Sequence, residues 1–320
     1  MASLKAQQSI TNTLPNKLPA KFLKQITNDL SPDRKLGHSV FGTVYMGILP
    51  EGEIIAVKKL AENSPVAPGK SFDTEVTNLM ALQHENIVEL VGYCHEAQKD
   101  VVYHNGRYVI VDIIESFLWY KYLPKGTLDK YIYAGTSISN WDTRFKIIKG
   151  VCKGLQFLHN KPDGALIHMN ILPTSIWLDD NWVPKIADFG LARLFGQEQT
   201  RMNTINVIGQ YGYMAPEYLY RGEISTMSDI YSLGMLIIET TTGEKNCPNS
   251  EDRSARKFVE HVHQNWNTDD QITTMYPSLD ANGLQQVKLC IDIGLNCVEV
   301  DRNKRLSIVD IVKRLNGERV

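Results

Sequence analysis

Three side chains set out the chemistry this sequence can attempt. Lys58 lies in "IIAVKKL", Glu75 follows in "SFDTEVTNLMAL", and Asp188 opens the "DFG" of "ADFG". A Lys facing a cleft can hold phosphate oxygens, and a Glu can hold that Lys in place. A surface Lys and a solvated helix Glu would look the same in sequence. Asp188 stands at a strand end, before an aromatic residue and a flexible Gly. A carboxylate there suits Mg²⁺, a hard cation that takes carboxylate and phosphate oxygens together. Upstream, "LGHSVFG" spaces Gly37, Ser39 and Gly42 as G-x-S-x-x-G. In a dinucleotide-binding fold such a loop opens a helix. Here Thr43, Val44 and Tyr45 continue as a strand, so the loop joins two strands. Its amides could cover phosphates, or it could be an ordinary hairpin turn. Between these signals lies "LIHMNILPTSIWLDD" (166–180): an apolar run ending at His168, a turn at Pro173, an apolar strand and two acids.

The elements that must position these residues fall into two groups. "LPAKFLKQITNDL" has helical spacing at 18, 22, 23, 26 and 30. From 34 to 60, β-branched and aromatic residues broken by Gly and "PEG" predict antiparallel strands at 34–39, 42–49 and 53–60. A helix follows, with Phe72, Val76, Leu79 and Leu82 on one face. Strands are expected at 89–94 and 108–114, with "AQKDVVYHNGR" as a loop or hairpin extension between them, and "SFLWYKYL" as one more strand. The 97–110 stretch exceeds the needs of a tight hairpin; a solvated loop and a contact surface are both open readings. Beyond it the chain is mostly helical. A long helix is capped by Ser139 or Asn140 and buries Trp141, Phe145, Ile148, Cys152, Leu155 and Leu158. "TMSDIYSLGMLIIETTTG" is apolar nearly all round and belongs at the centre of a core. Amphipathic helices are expected near 254–266, 284–298 and 306–315. The pattern predicts an α+β fold of two lobes with a cleft between them. The boundaries are a loose segment 1–17, a first lobe 18–120 with a helical extension, and a second lobe 121–320.

Bulk properties narrow the classes. The 320 residues carry a net charge of −2 and are 43% apolar, an ordinary globular balance without a nucleic-acid footprint. The five cysteines are scattered and read as reduced core thiols. No apolar stretch is long enough for a signal peptide or a membrane helix. The chain starts Met-Ala, which lacks the Gly for myristoylation. A soluble, cytoplasmic protein is expected.

Each motif is weak alone, but their order is specific: Gly loop, strand Lys, helix Glu, His-containing loop, DFG, then "GYMAPE". In that order the chain resembles the protein kinases. In "VFGTVYMGILPEGEIIAVKKL", "HENIVELVGYC", "YKYLPKGTLDKYI" and "GYMAPEY" it is similar to the plant receptor-like kinases, over about residues 18–318. The resemblance implies the bilobal kinase fold, with a five-stranded N-lobe holding one main helix and a mostly helical C-lobe. It implies ATP and Mg²⁺ as cofactors, bound weakly or, given the altered positions below, not at all, and protein partners such as another kinase or a receptor complex. Such a module would reach the plasma membrane only through a partner. Lys58 matches the phosphate-binding Lys, Glu75 its helix partner and Asp188 the Mg²⁺ acid. Val44 and Ala56 match the lid over adenine, Tyr120 the gatekeeper, and Lys121 to Leu123 the hinge. Leu79, His168, Phe189 and Asp229 match the internal column between lobes, and Glu217 and Arg305 a structural ion pair.

The departures from the family pattern cluster where phosphate is transferred. Asn170 stands at the catalytic Asp, Leu172 at the Lys that neutralises the transferring phosphoryl, and Ser175 at the Asn that holds a second Mg²⁺. Positioned acid–base help is worth about 10²–10⁴ in rate, and phosphoryl transfer rests on positioning and charge. Ser39 replaces a loop Gly. Trp177 stands where a Leu lies under adenine; its ring could stack on the base or fill the pocket. Gln210 replaces a Thr of the substrate loop, and Met169 the Arg that reads a loop phosphate. Thr200 and Thr204 are phosphorylation candidates or solvated loop residues. The sequence therefore predicts a pseudokinase acting as a binding or regulatory module, with a residually active Ser/Thr kinase as the alternative.

Overall fold

The computed structural model describes residues 16–133, 140–248, 254–266 and 268–318. Alternating apolar and polar residues build one sheet of six strands: β1 (Asn16–Lys17), β2 (Lys35–Ser39), β3 (Gly42–Ile48), β4 (Ile54–Leu60), β5 (Leu90–His104) and β6 (Arg107–Lys121). Their order is β1-β5-β6-β4-β3-β2. Five strands form the antiparallel body. Asn16 and Lys17, read from the sequence as loose, add a sixth strand parallel to β5 at Gly92 and Tyr93. Residues 1–15 lie outside the described residues.

The strands expected at 89–94, 108–114 and "SFLWYKYL" are instead two long strands of one hairpin. Asn105 and Gly106 both have positive φ, 48° and 80°. Such a two-residue turn matches the twist of the flanking strands. Nothing between Ile114 and Phe117 breaks the ladder, so β6 runs without interruption from the turn to the hinge. "AQKDVVYHNGR" is thus a hairpin extension rather than a loop.

Helix α1 (Ala20–Ile26) covers the outer face of the sheet, where Leu23 and Ile26 join Val57, Cys94, Phe117 and Trp119 in a buried cluster. Helix α2 (Pro68–Met80) covers the opposite face with Phe72, Val76 and Leu79 buried. It starts before the expected position because Pro68 is a favourable first residue, having no N–H to leave unpaired.

The second lobe begins with β7 (Gly126–Thr127) and α3 (Asp129–Ile132). Helix α4 (Trp141–His159) follows, capped by the Asn140 side chain, which accepts from the Asp142 amide at 2.8 Å. The alternative cap, Ser139, lies outside the described residues. Short strands β8 (Leu166–Ile167), β9 (Ile176–Leu178), β10 (Pro184–Ile186) and β11 (Arg193–Leu194) frame the loop region. Helices α5 (Pro216–Arg221), α6 (Thr226–Thr242), α7 (Arg256–Asn265), α8 (Asp269–Met275), α9 (Ala281–Cys297) and α10 (Ile308–Leu315) complete it. Helix α6 is buried from Ser228 to Thr242, as its all-round apolarity requires. The short, polar α5 and α8 escaped the periodicity reading because neither offers a full apolar stripe. Among the described residues no helix is long and apolar enough to cross a membrane. Four cysteines are buried and Cys247 is exposed. Burial pushes the Cys94 and Cys297 thiols up to about 12.

Candidate active site

Strand β4 points Lys58 into the cleft between the lobes, and α2 brings Glu75 to it. The Lys58 ammonium lies 3.1 and 2.9 Å from the two Glu75 oxygens and 2.7 Å from Asp188 Oδ1. Both Lys58 and Glu75 are buried. Burial opposes the charge on Lys58, but Asp188 and Glu75 outweigh it and hold the amine above its ordinary value. Tyr120, at the end of β6, donates to Glu75 Oε1 at 2.5 Å. Burial and the Glu75 carboxylate push its phenol well up. These four residues form one hydrogen-bonded polar network in which a single ammonium is shared by two carboxylates and a phenol completes the set, so each buried charge has a partner. Sequence reading brought Lys58, Glu75 and Asp188 together but missed the Tyr120 bond. Its only signal was a phenol in the gatekeeper position.

The loop at 168–175 is held from below. Asp229, at the start of α6, accepts from the His168 amide at 2.7 Å, the Met169 amide at 2.8 Å and His159 Nε2 at 2.9 Å. His168 Nδ1 accepts from the Asn170 amide at 3.2 Å, and its Nε2 faces the Ala187 carbonyl at 3.0 Å. That pair of partners requires the neutral tautomer protonated on Nε2, and burial lowers the ring's pKa accordingly. Phe189 packs edge-on to the same ring at 4.6 Å. Met169 is held at φ 66°, and packs with Ile208 onto a small buried cluster of Phe41, Val66 and Leu191. Phe41 is the tip of the Gly loop, so Met169, standing where the family has an Arg that reads an activation-loop phosphate, packs on an apolar cluster beside the Gly loop. Sequence reading missed this cluster.

Asn170 and Leu172 line a small pocket with Gln210, Tyr213, Met214 and Tyr218. Ser175, expected as a weak metal ligand, spends its hydroxyl elsewhere. It donates to the Leu172 carbonyl at 2.9 Å and accepts from the Leu172 amide at 3.1 Å. The residue is fully buried, so its hydroxyl serves the turn at Pro173 rather than the cleft. Ser39 Oγ likewise accepts from the Phe41 amide at 3.3 Å and braces the Gly loop, where Ser39 pairs with Gly42.

Val44, Ala56, Lys58, Glu75, Val88, Tyr120, Lys121, Leu123, Trp177, Ala187 and Asp188 line the space where a nucleotide base would enter. The space it leaves for water-sized molecules is about 20 Å³, room for one or two waters, and the Trp177 ring forms part of its wall. Its ring rises from β9 until its edge would lie 3.4 Å from a Cβ at Gly37, so the two lobes touch across the slot. Lys130 of α3 adds a second bridge, donating to the Leu36 carbonyl at 2.9 Å. In the activation segment, Thr200 is exposed and Thr204 is half-buried. Thr204 Oγ1 accepts from the Asn206 amide at 3.1 Å within a local turn. Glu217 and Arg305 form the expected two-pronged ion pair at 2.7 and 2.8 Å.

A two-lobed fold with a Lys–Glu–Asp network at its cleft defines a kinase-type protein. The protein kinase domain family matches residues 30–315, and the chain belongs to that family as a domain of the plant receptor-like kinase type. Among its relatives in Arabidopsis thaliana, cysteine-rich receptor-like protein kinase 25 is 34% identical over 314 residues, 97% of this chain and 44% of the relative. Cysteine-rich receptor-like protein kinase 36 is 37% identical over 89% of this chain and 41% of its own length. Cysteine-rich receptor-like protein kinase 44 is 36% identical over 92% of this chain and 75% of its own length. The chain thus spans less than half the length of the first two.

Proposed function

We propose that this chain is a pseudokinase: a kinase-fold binding or regulatory module with little or no phosphoryl transfer. The observation that carries this reading is the loop at 168–175, where three groups that phosphoryl transfer depends on are replaced together. Asn170 is no carboxylate base, Leu172 carries no charge, and the Ser175 hydroxyl is committed to the turn. Such losses do not add simply, but among the described residues the pocket beside Asn170 and Leu172 is lined by no acid and no cation. ATP with Mg²⁺ is the family's usual cofactor pair, and this cleft does not fit it. Trp177 lines the slot with Val44 and Ala56, and Asp188 Oδ1 is already engaged by Lys58 at 2.7 Å. The surviving network then acts as structure: Lys58, Glu75, Asp188 and Tyr120 tie α2 and both lobes into one closed shape that a protein partner can read.

The alternative, an unconventional Ser/Thr kinase, is favoured by one observation: Lys58 still bridges Glu75 and Asp188. The relatives are also named as kinases. A radiolabel transfer assay, run beside a thermal-shift titration with ATP and with ATP plus Mg²⁺, separates the readings. The pseudokinase reading expects no transfer above an Asp188→Ala control and no shift with nucleotide. Transfer well above that control would establish the enzyme instead.

A further inference from the structure

The hairpin of β5 and β6 extends well past the body of the sheet. Strand β4 pairs with β6 only from Phe117 to Lys121, and β1 touches β5 only at Gly92 and Tyr93. From Ala97 to Ile114 the two strands pair with each other alone. A two-stranded ribbon by itself is marginal in water, and this one carries its apolar side chains outward. The register places Ala97, Lys99, Val101 and Tyr103 opposite Ile114, Asp112, Ile110 and Tyr108, all on one face. On that face Val101, Tyr103, Tyr108, Ile110 and Ile114 are 53% to 76% exposed. The two tyrosines meet edge-on at 5.1 Å and cap its tip. Side chains of this size and exposure present roughly 600 Å² of surface, at the upper end of the largest patch a monomer usually shows.

We propose that this face is a homodimer interface, on which two copies pack ribbon against ribbon about a two-fold axis. Three features select a second copy as the occupant. The first is area: about 1,200 Å² buried in total reaches the lower end of specific interfaces. The second is room: at the ribbon's base α2 stands on this same face, with Phe72 against Tyr93 and His95. A copy must therefore approach with its body at the opposite end. The third is self-complementarity. A two-fold axis across the strands at the Val101–Ile110 row places Val101 over Val101 and Ile110 over Ile110. The same operation places Lys99 over the second copy's Tyr103 and Asp112 over its Tyr108. An ammonium on a ring face is attractive, a phenol donates to a carboxylate, and each contact occurs twice, as an isologous interface demands. Lys99 and Asp112 also keep like charges apart in this register.

The test is sedimentation velocity on the 320-residue chain between about 1 and about 300 µM, the range in which weak interfaces of this size dissociate. A concentration-dependent shift from monomer to dimer is expected. Tyr108→Asp and Ile110→Asp should each leave a monomer throughout. A shortened ribbon, with an Asn-Gly turn joining Gln98 to Ile113, should do the same while keeping the parent melting temperature within a few degrees. In a Cys247→Ser background, Val101→Cys should form a disulfide-linked dimer under mild oxidation, and Ala97→Cys should not. A monomer at every concentration, or a dimer that survives ribbon shortening, would overturn the proposal. A dimer that cross-links through Ala97→Cys and not Val101→Cys would overturn the register.

Discussion

Trp177 decides how much room the cleft offers, because its ring spans the distance from β9 to Gly37. Replacing it with Leu removes that contact and opens the slot beneath Val44 and Ala56. Trp177→Leu is expected to lower stability by about 1–3 kcal/mol through the lost packing. It should also create a measurable thermal shift with ATP that the parent lacks. The same titration with the parent and with Trp177→Phe grades the effect by ring size. A second residue shows burial acting on charge. Glu239 in α6 accepts from Tyr213 Oη, from Tyr133 Oη at 3.3 Å and from the Asn246 amide at 2.8 Å. Burial nonetheless raises its carboxyl from 4.5 to about 7, against the pull of those donors. A folded value above the unfolded one means the neutral form favours folding. Its contribution is full below about pH 4.5, declines as pH rises, and is gone above about pH 7. Glu239→Gln should flatten that slope, which is worth roughly 3 kcal/mol across the window. Melting temperatures at half-unit steps from pH 4.5 to 8 measure it, and an unchanged slope would assign the pH dependence to other groups.

At the scale of elements, the 168–175 loop keeps its shape because α6 holds it. Asp229 takes two loop amides and the His159 ring. Asp229→Ala strands those donors in a buried site. A loss of about 3–5 kcal/mol is expected, as for one partner removed from a buried network, read from urea unfolding. The sequence made much of this legible. Motif order located Lys58, Glu75, Asp188, His168 and Asp229, because each has a fixed side-chain type at a fixed place along the chain. Periodicity located α2, α4, α6 and α9, because each carries an apolar stripe or is apolar all round. Four features were not legible. The full length of the β5–β6 ribbon was open between loop and hairpin extension, with only 108–114 expected as strand, because Lys99, Asp100 and Asp112 interrupt its apolar residues and blur a period of two. The Tyr120–Glu75 bond and the Phe41–Met169 cluster join residues far apart in sequence, and no local pattern marks them. Whether Trp177 would stack or fill depended on the distance between lobes, which is a property of the whole fold.

At the scale of the molecule, backbone bonds of Asn86 and Val88 to Ile186 join the lobes at the back, and side chains close the cleft in front. Lys58 with Asp188, Trp177 with Gly37, and Lys130 with Leu36 each join the first lobe to the second. A cleft closed this way makes the catalytic loop and the nucleotide slot two separate obstacles to transfer, and separate obstacles can be removed one at a time. Asn170→Asp, Leu172→Lys and Ser175→Asn together restore the base, the cation and a metal ligand, yet leave Trp177 in the slot. That triple variant is expected to transfer no more phosphate than the parent, since chemistry cannot follow where substrate does not bind. Trp177→Leu alone is expected to bind nucleotide and transfer little. The quadruple variant should exceed both, by about 10²–10⁴ if the restored groups act as positioned acid–base and charge partners do. Radiolabel transfer to a generic protein substrate, with an Asp188→Ala version of each variant as background, gives the comparison. Activity in the triple variant alone would show that Trp177 yields to ATP and that the loop is the sole lesion. Silence in the quadruple variant, with nucleotide binding confirmed by thermal shift, would place a further lesion outside both the loop and the slot.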